Sequence, residues 1–312
     1  MAGLVTIFGG GGFLGRYVVQ ELLTTGVRVR VAGRDPKNAW FLKPLGGLGQ
    51  TQFVGADVTR ADSVARAVQG STAVINLVGL LKGAFDAVHV TGARTIAEAA
   101  AAAGAGAMVQ VSAIGADPAA ASAYARTKGE GEVAVRAAFP AATILRPSVL
   151  FGPEDQFVNK FAQMARMLPV LPVLRGAVQF QPAFVADAAK AIAAAALDPL
   201  RYGGRTFELG GPERISMDAL NRWIAQAIGR DPAIVAIPDA VGALMAKAGR
   251  FVPGAPMTWD QWLLLQSDNV VGADADGFAA FGIDPVPLAA VAPGWLVRYR
   301  RHGRFSTVRT PA

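Results

Sequence analysis

The 312-residue sequence predicts a doubly wound α/β fold, a parallel sheet with helices on both faces, followed by a smaller, mainly helical C-terminal segment. Three observations predict it. A short apolar run at residues 4–8 stops at four consecutive glycines and gives way to helical periodicity over residues 13–23. Strand-like runs then alternate with helix-length segments to about residue 150, and parallel strands need such crossovers. Finally, a chain that is 52% hydrophobic and 17% charged has the apolar content for a large core rather than for disorder.

The elements follow in order. Gly26 closes the first helix, and Val27, Val29 and Val31 alternate with Arg28 and Arg30 as a strand should. The rhythm continues with a strand at 52–54, a helix at 60–69, a strand at 73–77 and a helix at 84–103. A strand at 107–112, a helix at 122–138 and a strand at 143–145 complete the first part. Beyond Pro147 prolines multiply and the rhythm loosens. Helices are still readable at 155–167, 185–197 and 217–228, with a strand at 206–209. Residues 234–250 and 258–267 read as apolar and helix-like. The division expected is a dinucleotide-binding domain at 1–150 and a C-terminal segment at 151–312, packed where the strands end and open α/β sheets take ligands.

Composition excludes several chemistries. With no cysteine there is no disulfide, thiolate nucleophile, iron–sulfur cluster or cysteine-bound zinc. His89 and His302 stand far apart, so no metal site is expected. The net charge is +7, and Arg298, Arg300, Arg301, Arg304 and Arg309 crowd the last fifteen residues with no acid among them. Such a tail reads as solvated charge or as a docking segment for an anionic membrane, an acidic protein face or nucleic acid; nucleic acid is not the expectation here. No run of 18 strongly apolar residues suggests a membrane span, and no basic stretch precedes an apolar one at the N-terminus.

The glycine turn carries the first functional expectation. Gly9, Gly12 and Gly15 form G-x-x-G-x-x-G between the first strand and first helix, where the backbone must turn tightly and approach a pyrophosphate with no Cβ between them. The helix opening at Phe13 and Leu14 aims free N–H groups and its positive dipole end at the phosphates. At the end of the second strand, where an NAD site usually has a carboxylate, this sequence has Gly33-Arg34, and Arg16 follows the third glycine. Two guanidinium groups there suit a 2′-phosphate, so NADPH is expected over NADH. Asp57 and Val58 are placed at the adenine, and Leu77, Val78 and Gly79 beside the ribose.

Tyr124 and Lys128, four residues apart on a helix, share one face. A nearby ammonium would lower the phenol's pKa so that tyrosine could pass protons, while the lysine holds the nicotinamide ribose. These features, with the fifth strand ending at Ser112 and Arg146-Pro147 before Phe151-Gly152-Pro153, resemble the extended short-chain dehydrogenase/reductase family, the NAD-dependent epimerases and dehydratases among them. The stretches Phe8–Val19, Leu48-Gly49-Gln50, Val74–Gly79 and Phe151–Phe157 are similar to one atypical branch, the NAD(P)H-binding accessory subunits of respiratory complex I and their bacterial relatives.

The resemblance implies a Rossmann sheet and a tightly held nucleotide, with Pro147 among the residues lining the cofactor site. In active members a Ser or Thr completes a triad with Tyr and Lys, but Ala113 and Ile114 occupy that place here and Ser112 is the only nearby substitute. It therefore implies a structural subunit in which Tyr124 and Lys128 are nucleotide ligands, partnered by other complex I subunits. The location implied is peripheral, on the cytoplasmic side of a bacterial inner membrane, or the matrix side in a mitochondrion. The rival expectation is an active NAD(P)-dependent reductase or nucleotide-sugar epimerase. Other charged residues read as structural: Asp187 at a helix start, Glu154 and Asp155 as caps, Glu130 and Glu132 as surface charge. A helix at 240–250, with Val241, Leu244, Met245 and Ala248 opposite Lys247 and Arg250, is a candidate docking face together with the arginine tail.

Overall fold

The computed structural model describes residues 3–249, 257–301 and 303–305. They divide into two compact units. The first runs to Pro147 and takes back Val185–Leu209 and Ala273–Ile283; the second holds Ser148–Phe184, Gly210–Gly272 and the chain from Asp284 onward. The chain leaves the first unit after Pro147, and its second half returns to that unit twice.

The first unit is built on strands β1 (Leu4–Phe8), β2 (Arg28–Gly33), β3 (Thr51–Gly55), β4 (Ala73–Asn76), β5 (Ala107–Val111), β6 (Thr143–Pro147) and β7 (Thr206–Leu209). Their order is β7-β6-β5-β4-β1-β2-β3, and every pairing is parallel. All five residues of β1 are buried, as a strand covered on both faces requires. Because the chain builds outward from β1 to β3 and then restarts at β4 on the other side of β1, the order reverses between β1 and β4. That reversal opens a crevice at the carboxyl ends of those two strands.

Helices α1 (Phe13–Thr24), α2 (Ala61–Val68), α3 (Ala93–Ala102), α4 (Ala123–Ala138) and α5 (Val185–Leu197) cover the sheet. Helix α1 buries Val18, Val19, Leu22 and Leu23 on one stripe and packs on α5. On the opposite side Ile96 and Ala97 of α3 and Val135 of α4 meet Phe8, Val74, Met108 and Ile144. Strand β7 returns to the sheet because its Phe207 ring packs against Phe281, at 4.7 Å between centroids, while Tyr202 stacks on Phe281 at 4.6 Å.

Two connections depart from the simple rhythm. Between β2 and β3 the chain makes 3₁₀-type turns over Pro36–Leu45, started by Asp35, whose carboxylate accepts from the Lys37 N–H, and interrupted by Pro44. Before α3, residues Asp86–Gly92 form a wide π-type turn in place of the first two turns of the expected long helix.

In the second unit, helices Val158–Met167 and Met217–Ala227 share a core with Leu288, Ala292 and Leu296. The stretch expected to be helical from 234 is corrected at its start: Ala233–Ile237 is a strand, paired in parallel with Val170–Leu174. The β-branched Ile234, Val235 and Ile237 favour the pleat, and Pro238 pushes the residue before it out of the helical region. The helix begins only after it, over Asp239–Ala248.

Candidate dinucleotide site

Glycine is required at the corner by contact, not only by pattern. A Cβ on Gly15 would lie 2.4 Å from the Gly9 carbonyl oxygen and 2.6 Å from Gly10 Cα, both rigid backbone atoms. Gly9 has φ of +82°, a left-handed conformation natural to glycine, and a Cβ there would press on the Leu77–Val78 peptide at 3.3 Å. The Gly12 N–H closes the turn on the Gly9 carbonyl at 3.0 Å, and Gly12 caps α1 with extended backbone and no side-chain hydrogen bond. The opening amides of α1, at Phe13, Leu14 and Gly15, have no intrahelical acceptor by the geometry of any helix start. A bare, uncapped, glycine-lined helix end at the sheet's reversal point fits a pyrophosphate.

Leu77 and Val78 lie against this corner, and Asn76 holds them there. Its side chain accepts from the Val78 N–H at 3.0 Å and donates to Gln110 Oε1 at 2.8 Å. Arg34 is exposed directly after β2, and its charge, after two hydrogen bonds from Thr59, helps hold the Asp57 carboxyl below its ordinary range. Asp57 spends those acceptors on its own turn, taking the Thr59 N–H at 3.0 Å and hydroxyl at 2.8 Å. Val58 is buried, and a Cβ on Gly92 would lie 2.8 Å from its Cγ2. The Arg16 guanidinium lies 5.0 Å from the centre of the half-exposed Phe41 ring.

Helix α4 starts on Ser122, whose hydroxyl accepts from the Ala125 N–H, and presents Tyr124 and Lys128 one turn apart. Lys128 is buried and donates to the Val111 carbonyl at 3.3 Å; a Cβ on Gly79 would come within 3.2 Å of its Nζ. Burial lowers the Lys128 ammonium to about 8, with the charge of Glu132 pulling the other way. The expectation of a softened tyrosine is corrected here: burial pushes the Tyr124 phenol up to about 12. The ammonium, 6.0 Å from the ring centre, does not offset that desolvation.

Ser112 closes the site from β5. Its N–H donates to the Leu145 carbonyl at 2.7 Å, while its buried hydroxyl has no hydrogen-bond partner among the described residues. An orphaned hydroxyl beside a buried ammonium is what a site shaped for a ribose or amide would leave behind. Ile114, in the place of the expected donor, offers only its N–H, which goes to the Pro147 carbonyl at 3.1 Å and zips the loops after β5 and β6 together.

Four buried polar residues have partners that no local sequence pattern announces. Asn76 and Gln110 bond each other across neighbouring strands. His89 accepts the Leu80 N–H at Nε2, 2.9 Å away, and its Nδ1 lies 3.0 Å from Thr127 Oγ1. Glu132, expected at the surface, is instead buried in a two-pronged pair with Arg146, at 2.7 and 2.9 Å, with Glu208 as third partner at 3.5 Å. In the second unit the Asp155 carboxylate accepts the N–H groups of Gly152, Phe157 and Asn159 at 2.8–3.1 Å, which makes the Phe151–Phe157 stretch a closed turn.

The tail arginines are partly committed as well. Arg298 donates to the Pro153 carbonyl and to Asn159 Oδ1, and Arg300 donates to the Ala227 carbonyl at 3.0 Å. Arg309 and His302 lie outside the described residues, as does Arg250. Among the described residues no cluster of His, Asp or Glu is placed to hold a metal, and no helix is long and apolar enough to cross a membrane.

Comparison with known proteins agrees with this geometry. The profile of the NAD dependent epimerase/dehydratase family matches residues 5–210. The chain is 36% identical over 311 residues to the mouse mitochondrial NADH dehydrogenase (ubiquinone) 1 alpha subcomplex subunit 9, covering 97% of this chain and 82% of that protein. The Neurospora crassa mitochondrial NADH-ubiquinone oxidoreductase 40 kDa subunit is 30% identical, with 96% and 80% coverage. A ceramide reductase of Caulobacter vibrioides is 36% identical over 79% of this chain and 77% of its own. Among solved structures, an Escherichia coli NADPH-dependent quinone oxidoreductase complexed with NADPH shares the fold, with a TM-score of 0.75 at 20% identity over 94% of this chain and 99% of that one. A parallel sheet reversing at a glycine corner, a Tyr-Lys pair on α4 and these full-length similarities lead to one conclusion: the chain belongs to the NAD-dependent epimerase/dehydratase family, together with the mitochondrial complex I subunits it matches along nearly its whole length.

Proposed function

We propose that this chain is an NADPH-binding accessory subunit of respiratory complex I that holds its nucleotide without turnover and stabilises or assembles the complex. The observation that carries this reading is the near-full-length match to subunits of that complex in animals and fungi. The site supports it: the phosphate corner is complete, while Ile114 supplies no side-chain donor and Tyr124 holds its proton tightly. In this role Gly9, Gly12 and the opening amides of α1 hold the diphosphate, and Lys128, Ser112 and Tyr124 hold the nicotinamide ribose and ring. Such a ligand, a hydride carrier by its chemistry, would act here as a core element. At a hundredfold excess over its dissociation constant it adds about 2.7 kcal/mol to folding.

The preference for NADPH over NADH is part of the proposal. It rests on Arg34 standing where an NAD site has a carboxylate, with Arg16 following the third glycine as a second cation. Docking is proposed through the second unit, where Val241, Leu244, Met245 and Ala248 form one exposed face of helix Asp239–Ala248, with Lys247 held over the Trp259 ring at 5.0 Å. An exposed apolar stripe beside cationic charge suits the interface of an anionic membrane or a partner subunit, and the proposed placement is peripheral, on the cytoplasmic side of a bacterial inner membrane or the matrix side in a mitochondrion.

The test is co-purification. Detergent-solubilised complex I from the parent organism should contain this chain, and native mass spectrometry of the isolated chain should show one bound NADPH. Complex I isolated intact without it would overturn the subunit reading. A second reading, an active reductase, is favoured by the ceramide reductase match and by the retained Tyr124–Lys128 pair. It predicts NADPH oxidation with a carbonyl or quinone substrate that Tyr124→Phe abolishes.

A further inference from the structure

The π-type turn before α3 has a histidine at its centre that none of the expected roles uses. His89 is 2% exposed, too enclosed to meet solvent or a partner. Its two ring nitrogens each have one neighbour, on different pieces of the site. Nε2 faces the Leu80 N–H at 2.9 Å, and Nδ1 faces Thr127 Oγ1 at 3.0 Å. A backbone amide can only donate, so Nε2 carries the lone pair and Nδ1 carries the hydrogen. The Thr127 hydroxyl accepts that hydrogen and passes its own to the Ala123 carbonyl at 2.7 Å, one turn back along α4. Every donor and acceptor in the chain Leu80–His89–Thr127–Ala123 is thereby matched in a single direction.

The groups joined are those that meet the nicotinamide end. Leu80 ends the loop Leu77–Val78–Gly79, and Thr127 precedes Lys128. A Cβ on Gly79 would lie 3.2 Å from Lys128 Nζ and 3.9 Å from His89 Nε2, so loop, lysine and imidazole converge. The Tyr124 ring stands edge-on to His89 at 5.5 Å and edge-on to Phe85 at 6.1 Å, while Phe85 stacks on His89 at 5.4 Å. On the other side the helix passes so near that a Cβ on Gly131 would come within 2.1 Å of the His89 carbonyl oxygen. The imidazole is therefore held at its backbone, by the Phe85 and Tyr124 rings and at both nitrogens.

We infer that His89 is a positioning residue: a neutral Nδ1–H imidazole that ties the loop after β4 to helix α4 and so sets the spacing between Gly79, Tyr124 and Lys128 that receives the nicotinamide ribose. This rests on the dinucleotide reading of the site and deepens it. It assigns the precision of the nicotinamide end to a side chain that never touches the ligand, and it leaves the adenine end independent of it.

The experiment compares two ligands on three proteins. Wild type, His89→Leu and His89→Gln are titrated with NADPH and with 2′,5′-ADP, which carries only the adenosine half. His89→Leu should weaken NADPH about tenfold, the scale of one or two buried hydrogen bonds, and leave 2′,5′-ADP within about twofold. His89→Gln, whose amide can accept from Leu80 and donate to Thr127, should recover most of the loss. Equal losses for both ligands, no loss of NADPH affinity, or no recovery by glutamine would overturn the inference. A second measurement on the wild type stands apart from binding and from the folding of any variant. Nitrogen-15 NMR at pH 7 should show the His89 hydrogen on Nδ1; an Nε2–H imidazole would overturn the assignment. Should wild type bind neither ligand, the dinucleotide reading fails, while the NMR result still decides the strut.

Discussion

The two ends of the crevice are built from different materials. The end proposed for the phosphates is backbone: Gly9, Gly12, Gly15 and the first amides of α1, locked by contacts as short as 2.4 Å to any side chain that intruded. The end proposed for the nicotinamide is side chains: Ser112, Tyr124, Lys128 and, behind them, His89 and Thr127. Backbone geometry survives most sequence change because it depends only on glycine being kept. Side-chain chemistry fails with a single replacement, and on the proposed reading Ile114, where active relatives are expected to place a hydroxyl, is such a replacement. A family member can therefore stop turning over its cofactor long before it stops binding it.

The comparison breaks most severely at the corner itself. Gly15→Ala should abolish NADPH binding in calorimetric titration, and the forced shift of the Gly9–Gly10 backbone should cost about 1–3 kcal/mol of stability. A variant that bound normally would show that the corner does not hold the diphosphate.

Acid should act next, and at the other end. The buried His89 imidazole is lowered to about 3, first by desolvation and then by the Lys128 charge. The unfolded chain would bind its proton near the ordinary value of 6.5, so the unfolded state gains protons first as pH falls. Stability from this group is complete above about 6.5 and is lost as pH falls toward about 3, by at most about 1.4 kcal/mol per pH unit. Urea denaturation at pH 7, 6 and 5 should show the slope, and His89→Gln should flatten it; parallel curves for the two proteins would refute the buried, neutral state.

Charge at the adenine edge is a smaller lever. Arg34→Ala should narrow the NADPH-over-NADH preference about tenfold, the scale of one charge-assisted pair, without changing NADH affinity. Unchanged selectivity would move the 2′-phosphate elsewhere. The smallest effect is expected at Tyr124, where Tyr124→Phe should change NADPH affinity less than about twofold, since one neutral hydrogen bond is worth little net. Its signature is optical. With a phenol pushed up to about 12, the wild type should keep one tyrosine un-ionised at pH 10.5 that the variant lacks, as read by absorbance near 295 nm.

What the sequence disclosed follows the same division. The glycine corner was legible because seven consecutive-range residues and the strand and helix beside them contain the whole argument. The sheet was legible because each strand is short, apolar and bounded by helix-length segments. The strut at His89 was not, since its partner Thr127 lies 38 residues away and neither residue carries a pattern. The Asn76–Gln110 bond, 34 residues apart, was hidden for the same reason. Glu132 reads as surface charge from its i, i+2 relation to Glu130, because its partner Arg146 is distant in sequence. The Tyr124 expectation failed because sequence spacing reports the nearest charge, whereas burial is a sum over the whole neighbourhood. The first stretch of 234–250 reads as helix because hydrophobicity does not separate a short strand from a helix, and Pro238 is the residue that marks the break.

The arginine at 298 changes how its end of the chain should be handled. By gripping the Pro153 carbonyl and Asn159 Oδ1, it works as a latch on the turn closed by Asp155, 145 residues earlier. Cutting the chain ahead of it would unfasten that turn and strip a basic residue in one stroke, so an assay of membrane release after such a cut would confound collapse with lost attraction. Swapping Arg301, which is exposed, for glutamate leaves the latch shut and alters charge alone. Engineering of this end, tags and fusions included, is best confined to residues beyond Arg300, which itself holds the Ala227 carbonyl.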